Sequence, residues 1–207
     1  MTIIGKLAAS LNRKDEGPNQ ELAKNIADRE DKGAVKELVD NLNNSDKNIQ
    51  SDCIKVLYEI GVIKPFLVVE YSKELLSLFD HKNNRLVWGA MTALDVITLE
   101  NPATIYESLA KIVETADKGS VITKDHAVNI LIKLCSVEQY VDNAFSLLIE
   151  QLKKCPTNQL PMYAENAMSI INDKNKDVFI KTLISRLDEI EKDTKRKRVE
   201  KLIKRLS

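Results

Sequence analysis

The sequence predicts an all-α fold of stacked helix pairs, and three observations support this. Apolar side chains recur along the chain at the three- and four-residue spacing of buried helix faces. Blocks of 37 residues repeat without an insertion. Aromatic residues make up only 5% of the chain, and no segment alternates as a half-buried strand does. We therefore expect a stack of about five helix pairs.

The repeat is clearest in the second helix of each pair, where two residue types recur at fixed positions. Because these positions are small or strongly apolar, we expect them to form the core between neighbouring pairs. The residues in register are Cys53, Ala90, Ala127 and Ala164 at the small position and Leu57, Leu94, Leu131 and Met168 at the large one.

Local signals predict where several helices begin and end. Ser45 or Asp46 is expected to cap the second helix of the first repeat, and Gly61 to follow its last turn. Asn101 and Pro102 are the residue types preferred at the N-cap and first position of a helix.

The two ends of the chain depart from the repeat, as terminal units of repeat proteins often do. Ile4, Leu7 and Leu11 are expected to share the buried face of a first helix, and the Gly-Pro content of residues 12–19 predicts a loop. We expect a single solenoid over residues 1–207, divided into an irregular pair at 1–30, four repeats at 33–172 and a closing pair at 177–207.

Composition limits the compartment and the partners. Lys and Arg together number 31, as do Asp and Glu, so the whole molecule has no net attraction for nucleic acid or anionic lipid. No apolar run approaches the ~20 residues of a membrane span, and the apolar stretch at the start of the sequence is too short for a signal peptide. Three widely spaced cysteines indicate a reducing compartment. We expect a cytoplasmic protein without a membrane partner.

No constellation of residues predicts an enzyme, a cofactor or a metal site. His126 follows Asp125, but adjacent residues on a helix point in different directions. The cysteines lack the spacing of a zinc site, and a glycine-rich phosphate loop is absent from the sequence. We therefore expect a protein that binds rather than catalyses.

The repeats from Gly33 to Ile171 resemble HEAT repeats in helix length and in the small-apolar-x-apolar-Leu pattern of their second helices. This resemblance implies a curved, right-handed α–α superhelix of about five HEAT-like pairs, whose second helices line a concave surface. In HEAT proteins such a surface commonly holds another macromolecule, so a protein or peptide is the expected partner.

If the resemblance holds, the residues left after removal of the core face the concavity. Trp88, the only tryptophan, lies beside Gly89, and the missing side chain either lets a partner approach closely or relieves crowding between helices. The candidate partner contacts are Trp88, Thr92, Asp125, Asn129, Tyr163 and Asn166.

Asn129 and Asn166 occupy equivalent positions one repeat apart. They resemble the asparagine ladder of armadillo repeats, in which an asparagine binds the main chain of a peptide four residues after a tryptophan. This chain departs from that pattern, because Asp125 and Met162 stand where the tryptophans would be. Solvated asparagines are the alternative interpretation.

Basic residues concentrate near the end of the chain, over Lys192 to Ser207. They indicate either a contact for an anionic partner or a solvated capping helix. The candidate anionic-partner contacts are Lys195, Arg196, Lys197 and Arg198.

A second function class is nucleic-acid binding. HEAT-like alkylpurine DNA glycosylases combine a basic concave face with aromatic residues and an aspartate, and Trp88, Asp95 and Asp125 could supply the last two. However, the predicted concave positions contain almost no Lys or Arg apart from Lys55. Some bilin lyases also contain HEAT-like repeats, but that analogy rests on fold alone.

Overall fold

The computed structural model describes residues 2–206, in which helices are the only regular secondary structure. None of the helices in this range combines the length and hydropathy that crossing a membrane requires. Short 3-10 helices lie between several of the α-helices. The α-helices are α1 (Gly17–Arg29), α2 (Lys32–Asp40), α3 (Lys47–Ile63), α4 (Ser72–Ser77), α5 (Asn84–Ile97), α6 (Pro102–Glu107), α7 (Leu109–Lys118), α8 (Val121–Leu134), α9 (Val141–Lys154), α10 (Leu160–Ala167), α11 (Lys176–Arg186) and α12 (Asp193–Leu206).

The chain divides into two compact units, Met1–Ala127 and Val128–Ser207, with the boundary inside α8. In the first unit α3 packs between α1 and α5, while α2 lies on α3 and α4 lies on α5. In the second unit α9 packs on α11 and α10 packs on α12. Helices two apart in the chain are therefore neighbours, which confirms the predicted stacking of helix pairs within each unit. That all pairs form a single solenoid stays a prediction.

The residues of the 37-residue register form the core of these helices. Of the small residues, Cys53, Ala90 and Ala164 are fully buried and Ala127 is nearly so. Leu57, Leu94 and Leu131 are fully buried as well. Met168 is only partly buried, because α10 ends at Ala167 and Met168 begins a 3-10 helix. The register therefore predicts burial as far as the α-helical geometry continues.

Two of the predicted helix starts are present. The Asp46 carboxylate accepts a 2.8 Å hydrogen bond from the Asn48 N–H at the start of α3. The Asn101 side chain accepts a 3.2 Å hydrogen bond from the Thr104 N–H, and Pro102 is the first residue of α6. Each cap satisfies an amide that lacks a partner within its own helix.

Other boundaries differ from the expectation. The first segment forms only a short 3-10 helix, Ile3–Lys6, so Leu7 is buried while Leu11 is 49% exposed. Helix α1 begins at Gly17, inside the predicted loop, because Pro18 suits a first turn that does not use its N–H. Helix α3 continues past Gly61 to Ile63.

Gly61 and Gly89 mark two places where α3 and α5 approach closely. A Cβ atom on Gly89 would lie 2.7 Å from Ile54 Cγ1, and one on Gly61 would lie 2.6 Å from Val96 Cγ2. Gly89 is itself buried. Its missing side chain therefore relieves crowding between helices and does not open a surface beside Trp88.

Gly89→Ala is expected to lower the free energy of unfolding by about 1–3 kcal/mol, because Ile54 is buried and has little room to move. This loss outweighs the ~1 kcal/mol that alanine gains over glycine in a helix. Urea unfolding followed by circular dichroism measures it. Gly5→Ala is the control, since a Cβ there meets nothing within 4 Å. Unchanged stability of Gly89→Ala would contradict the close packing of α3 on α5.

Candidate functional site

A groove of about 760 Å³ opens in the first unit, and we call it the Trp88 groove. One wall is the N-terminal segment from Ala8 to Asn19. The other wall is the start and middle of α3, extended by Arg85 and Trp88 of α5. This second wall includes Ser51, Asp52 and Lys55, which are partly exposed, and Tyr58, which is buried.

Two aromatic rings pack against each other in the wall of the groove. The ring centroids of Trp88 and Tyr58 are 6.1 Å apart, and the ring planes are tilted by 48°. Tyr58 is buried, whereas Trp88 is only partly buried and keeps indole surface accessible. Thr92, one turn after Trp88, is 8% exposed and its hydroxyl donates to the Trp88 carbonyl at 2.9 Å. Thr92 is therefore a structural residue and not the surface contact that was expected.

Lys55 is a largely enclosed charge of the groove, with 13% of its side chain exposed. Its Nζ lies 2.9 Å from Glu16 Oε2, 2.7 Å from Glu59 Oε1 and 5.0 Å from the centre of the Tyr58 ring. Burial acts to lower the pKa of Lys55, but the hydrogen bonds to the two carboxylates outweigh it and the pKa is raised. The lysine is therefore positively charged inside the groove near neutral pH.

The N-terminal wall is fastened to α3 by polar contacts between residues far apart in sequence. The Ala9 N–H donates a 2.7 Å hydrogen bond to Asp52 Oδ2. Glu16 of the same segment pairs with Lys55. Within the segment, the Ala8 N–H donates to Asn19 Oδ1 at 3.0 Å. Sequence reasoning missed this wall because no local pattern indicates which helix an irregular segment covers.

In the second unit, the structure brings Asn129 and Asn166 together. Asn166 Nδ2 lies 3.3 Å from Asn129 Oδ1, and the Asn166 side chain is exposed. Tyr163, in contrast, is 1% exposed and belongs to the core, so the expectation of an accessible aromatic contact there is wrong. Asp125, in the first unit, is partly exposed.

His126 lies against an aspartate other than its sequence neighbour. Its Nδ1 is 2.7 Å from Oδ2 of Asp95, on α5. The Asp95 side chain is 7% exposed and that of His126 is 26% exposed. The pair joins α8 to α5 and was not expected from the sequence, which offered only Asp125 beside the histidine.

The predicted basic contacts on α12 are held within the second unit. Lys195 Nζ donates to the Asn158 carbonyl at 3.0 Å. The ion-pair partners of the other three are Asp188 and Glu200 for Arg196, Asp193 for Lys197 and Glu165 for Arg198. These contacts fit the interpretation of α12 as a capping helix, although surface ion pairs of this kind are weak and do not block a partner.

The three thiols are free and buried, and burial raises the pKa of Cys53 to about 12, of Cys135 to about 12 and of Cys155 to about 11. Such thiols are protonated and poorly nucleophilic near neutral pH. Within residues 2–206, no three His, Cys, Asp or Glu side chains cluster as metal ligands.

The stacked helix pairs within each unit define an α-helical repeat fold. No known family model matches the sequence, and no curated protein does. The fold, however, is similar to that of an engineered protein from the Northeast Structural Genomics Consortium, with 21% identity, TM-score 0.62 and coverage of 99% of this chain and 100% of that one.

It is also similar to a designed armadillo repeat protein in complex with the peptide (KR)4, with 16% identity, TM-score 0.66 and coverage of 91% of this chain and 87% of that one. At these identities the likeness shows the fold, which is that of an armadillo-like helical repeat.

Proposed function

We propose that this protein is a non-catalytic scaffold that holds an extended segment of a protein partner in the Trp88 groove. The observation that carries the proposal is the partly exposed indole of Trp88, supported from behind by Tyr58 in a groove of about 760 Å³. A large aromatic side chain held by packing gives contact area at little entropic cost, and such residues commonly dominate binding.

Two further observations support a peptide partner. The structure of the designed armadillo repeat protein was solved with a peptide, and this chain shares its fold. In the second unit, the adjacent amides of Asn129 and Asn166 offer both donors and acceptors at the surface. We propose that these two asparagines bind the main chain of a partner, and that the partly exposed Asp125 contributes to the same function.

The charge balance of the chain argues against nucleic acid as the main partner. Lys and Arg together number 31, as do Asp and Glu, and Lys195, Arg196, Lys197 and Arg198 each contact a group of the second unit, as in a capping helix. The free, buried cysteines are consistent with work in the cytoplasm, which we propose as the compartment.

Trp88→Ala is expected to weaken peptide binding roughly tenfold or more, as loss of an aromatic anchor does. Peptides would be selected from a random library on the wild-type protein and their affinities measured by fluorescence anisotropy. Phe66→Ala is the matched control, because Phe66 is 41% exposed in the same unit but does not line the groove. Circular dichroism checks that each variant is folded. Selected peptides that bind Trp88→Ala and wild type equally would overturn the proposal.

A further inference from the structure

We propose that the Trp88 groove selects peptides that carry separated acidic side chains. This inference rests on the proposed function, and it concerns the charge of the partner. The groove is lined by four carboxylates and four cations, so its formal charge is balanced. We expect selectivity for acidic peptides because some of the cations lack an ion-pair partner within the protein. The lining groups are Asp15, Glu16, Asp46 and Asp52 on the acidic side and Arg13, Lys14, Lys55 and Arg85 on the basic side.

The four carboxylates are all engaged within the protein. Asp15 pairs with Arg13 at 2.7 Å, and Glu16 pairs with Lys55. Asp46 accepts the Asn48 N–H at the start of α3, and Asp52 accepts the Ala9 N–H. A basic peptide would therefore have to displace Arg13 or Lys55 at two of these carboxylates and share the other two with backbone N–H groups.

Two of the cations are not engaged in this way. Lys14 and Arg85 are exposed, and within residues 2–206 neither side chain forms an ion pair. Arg85 lies one helical turn before Trp88 on α5, so the two side chains share a face of that helix. A carboxylate next to a residue packed on Trp88 would therefore reach the Arg85 guanidinium, which binds carboxylates in a two-pronged geometry.

Lys55 already shows how the groove binds a carboxylate. The Glu16 side chain that pairs with it is 66% exposed, whereas the lysine is 13% exposed. An acidic side chain of a partner that replaces Glu16 would keep the lysine paired. The desolvation cost of burying the lysine arises on folding and is not added on binding. Glu16 therefore stands in for an acidic residue of the ligand.

The same carboxylates distinguish a peptide from a nucleic acid. A phosphate backbone carries a charge at every step and would bring phosphates against Asp46 and Asp52 as well as against the cations. A peptide can place acidic residues at Lys55 and Arg85 and neutral ones between them. Charge complementarity at separated positions, and not net charge, is then the basis of recognition.

The test uses the full chain and short fluorescein-labelled peptides that keep a central leucine and alternate serine with Glu, Gln or Lys. In fluorescence anisotropy we expect the Glu peptide to bind roughly tenfold more tightly than the Gln peptide, and the Lys peptide most weakly. Raising the salt concentration should reduce the difference. A labelled oligothymidine of similar length is the nucleic-acid probe and is expected to bind more weakly than the Glu peptide.

Matched variants test which residues of the groove cause the preference for the Glu peptide. Arg85→Gln should weaken the Glu peptide several-fold and leave the Gln peptide unchanged, whereas Lys82→Gln, the same charge change outside the groove, should alter neither. Glu16→Gln should tighten binding of the Glu peptide, because it removes the more exposed of the two carboxylates that pair with Lys55 and leaves only Glu59. Glu100→Gln, an exposed glutamate outside the groove, controls for net charge.

The outcomes separate this inference from the proposed function. Equal binding of the Glu and Gln peptides, with loss of both in Trp88→Ala, would overturn the acidic selectivity and leave the groove as a peptide site. Failure of all peptides to bind would overturn both. Oligothymidine that binds more tightly than the Glu peptide and depends on Arg85 would overturn the choice of a peptide as the partner.

Discussion

Arg186→Ala is expected to lower the free energy of unfolding by roughly 3–5 kcal/mol, because it removes the guanidinium donors to three carbonyl groups at the end of α9. Arg186, at the end of α11, is only 7% exposed. Its Nη1 donates to the carbonyl oxygens of Leu152 and Lys153, each at 2.7 Å, and its Nη2 donates to that of Cys155 at 3.0 Å. These carbonyls end α9, where no helical N–H follows to bind them.

Urea unfolding followed by circular dichroism measures the loss. Arg196→Ala is the control, because Arg196 is 40% exposed and its ion pairs with Asp188 and Glu200 are worth about 1 kcal/mol or less. Arg186→Lys is expected to fall between the two, since one ammonium group cannot reproduce the planar fork of donors. If Arg186→Ala proves as stable as Arg196→Ala, water replaces the guanidinium and the capping role is wrong.

The contact of Arg186 with α9 illustrates what the sequence could not predict. The 37-residue register predicts which residues are buried, because burial on a helix follows from period and residue type. Arg186 is a long charged residue near the C-terminal end, where the register is lost, and its partners are backbone oxygens more than thirty residues away. Backbone acceptors carry no residue-specific signal, so no pattern in the sequence indicates them.

The candidate site also combines features that follow from the sequence repeat with features that do not. The pairing of Asn129 with Asn166 follows from their equivalent positions in neighbouring repeats, and the structure places them 3.3 Å apart. The burial of Tyr163 does not follow, because its helix α10 packs on α12, and α12 belongs to the closing pair in which the register is lost. The N-terminal wall of the Trp88 groove depends on hydrogen bonds such as that from the Ala9 N–H to Asp52, across 43 residues.

His126→Leu is expected to destabilise the protein by about 2–4 kcal/mol, because it removes a partner of a buried carboxylate. The distance of 2.7 Å between His126 Nδ1 and Asp95 Oδ2 indicates a strong hydrogen bond, and the Asp95 side chain is 7% exposed. Urea unfolding again measures the change. His81→Leu is the control, since His81 lies in a loop and its Nδ1 accepts only a 2.9 Å hydrogen bond from the Asn83 N–H two residues away.

A second substitution distinguishes a lost hydrogen bond from lost packing of the imidazole. If the cost of His126→Leu arises from the buried charge of Asp95, then adding Asp95→Leu should recover part of the stability, because no buried carboxylate remains. If the cost arises from packing alone, the two substitutions should add, since each removes its own contacts. Recovery of stability in the double variant would show that His126 stabilises the buried carboxylate of Asp95 across the α5–α8 contact. Additive losses would mean that the two side chains lie close together without a strong interaction.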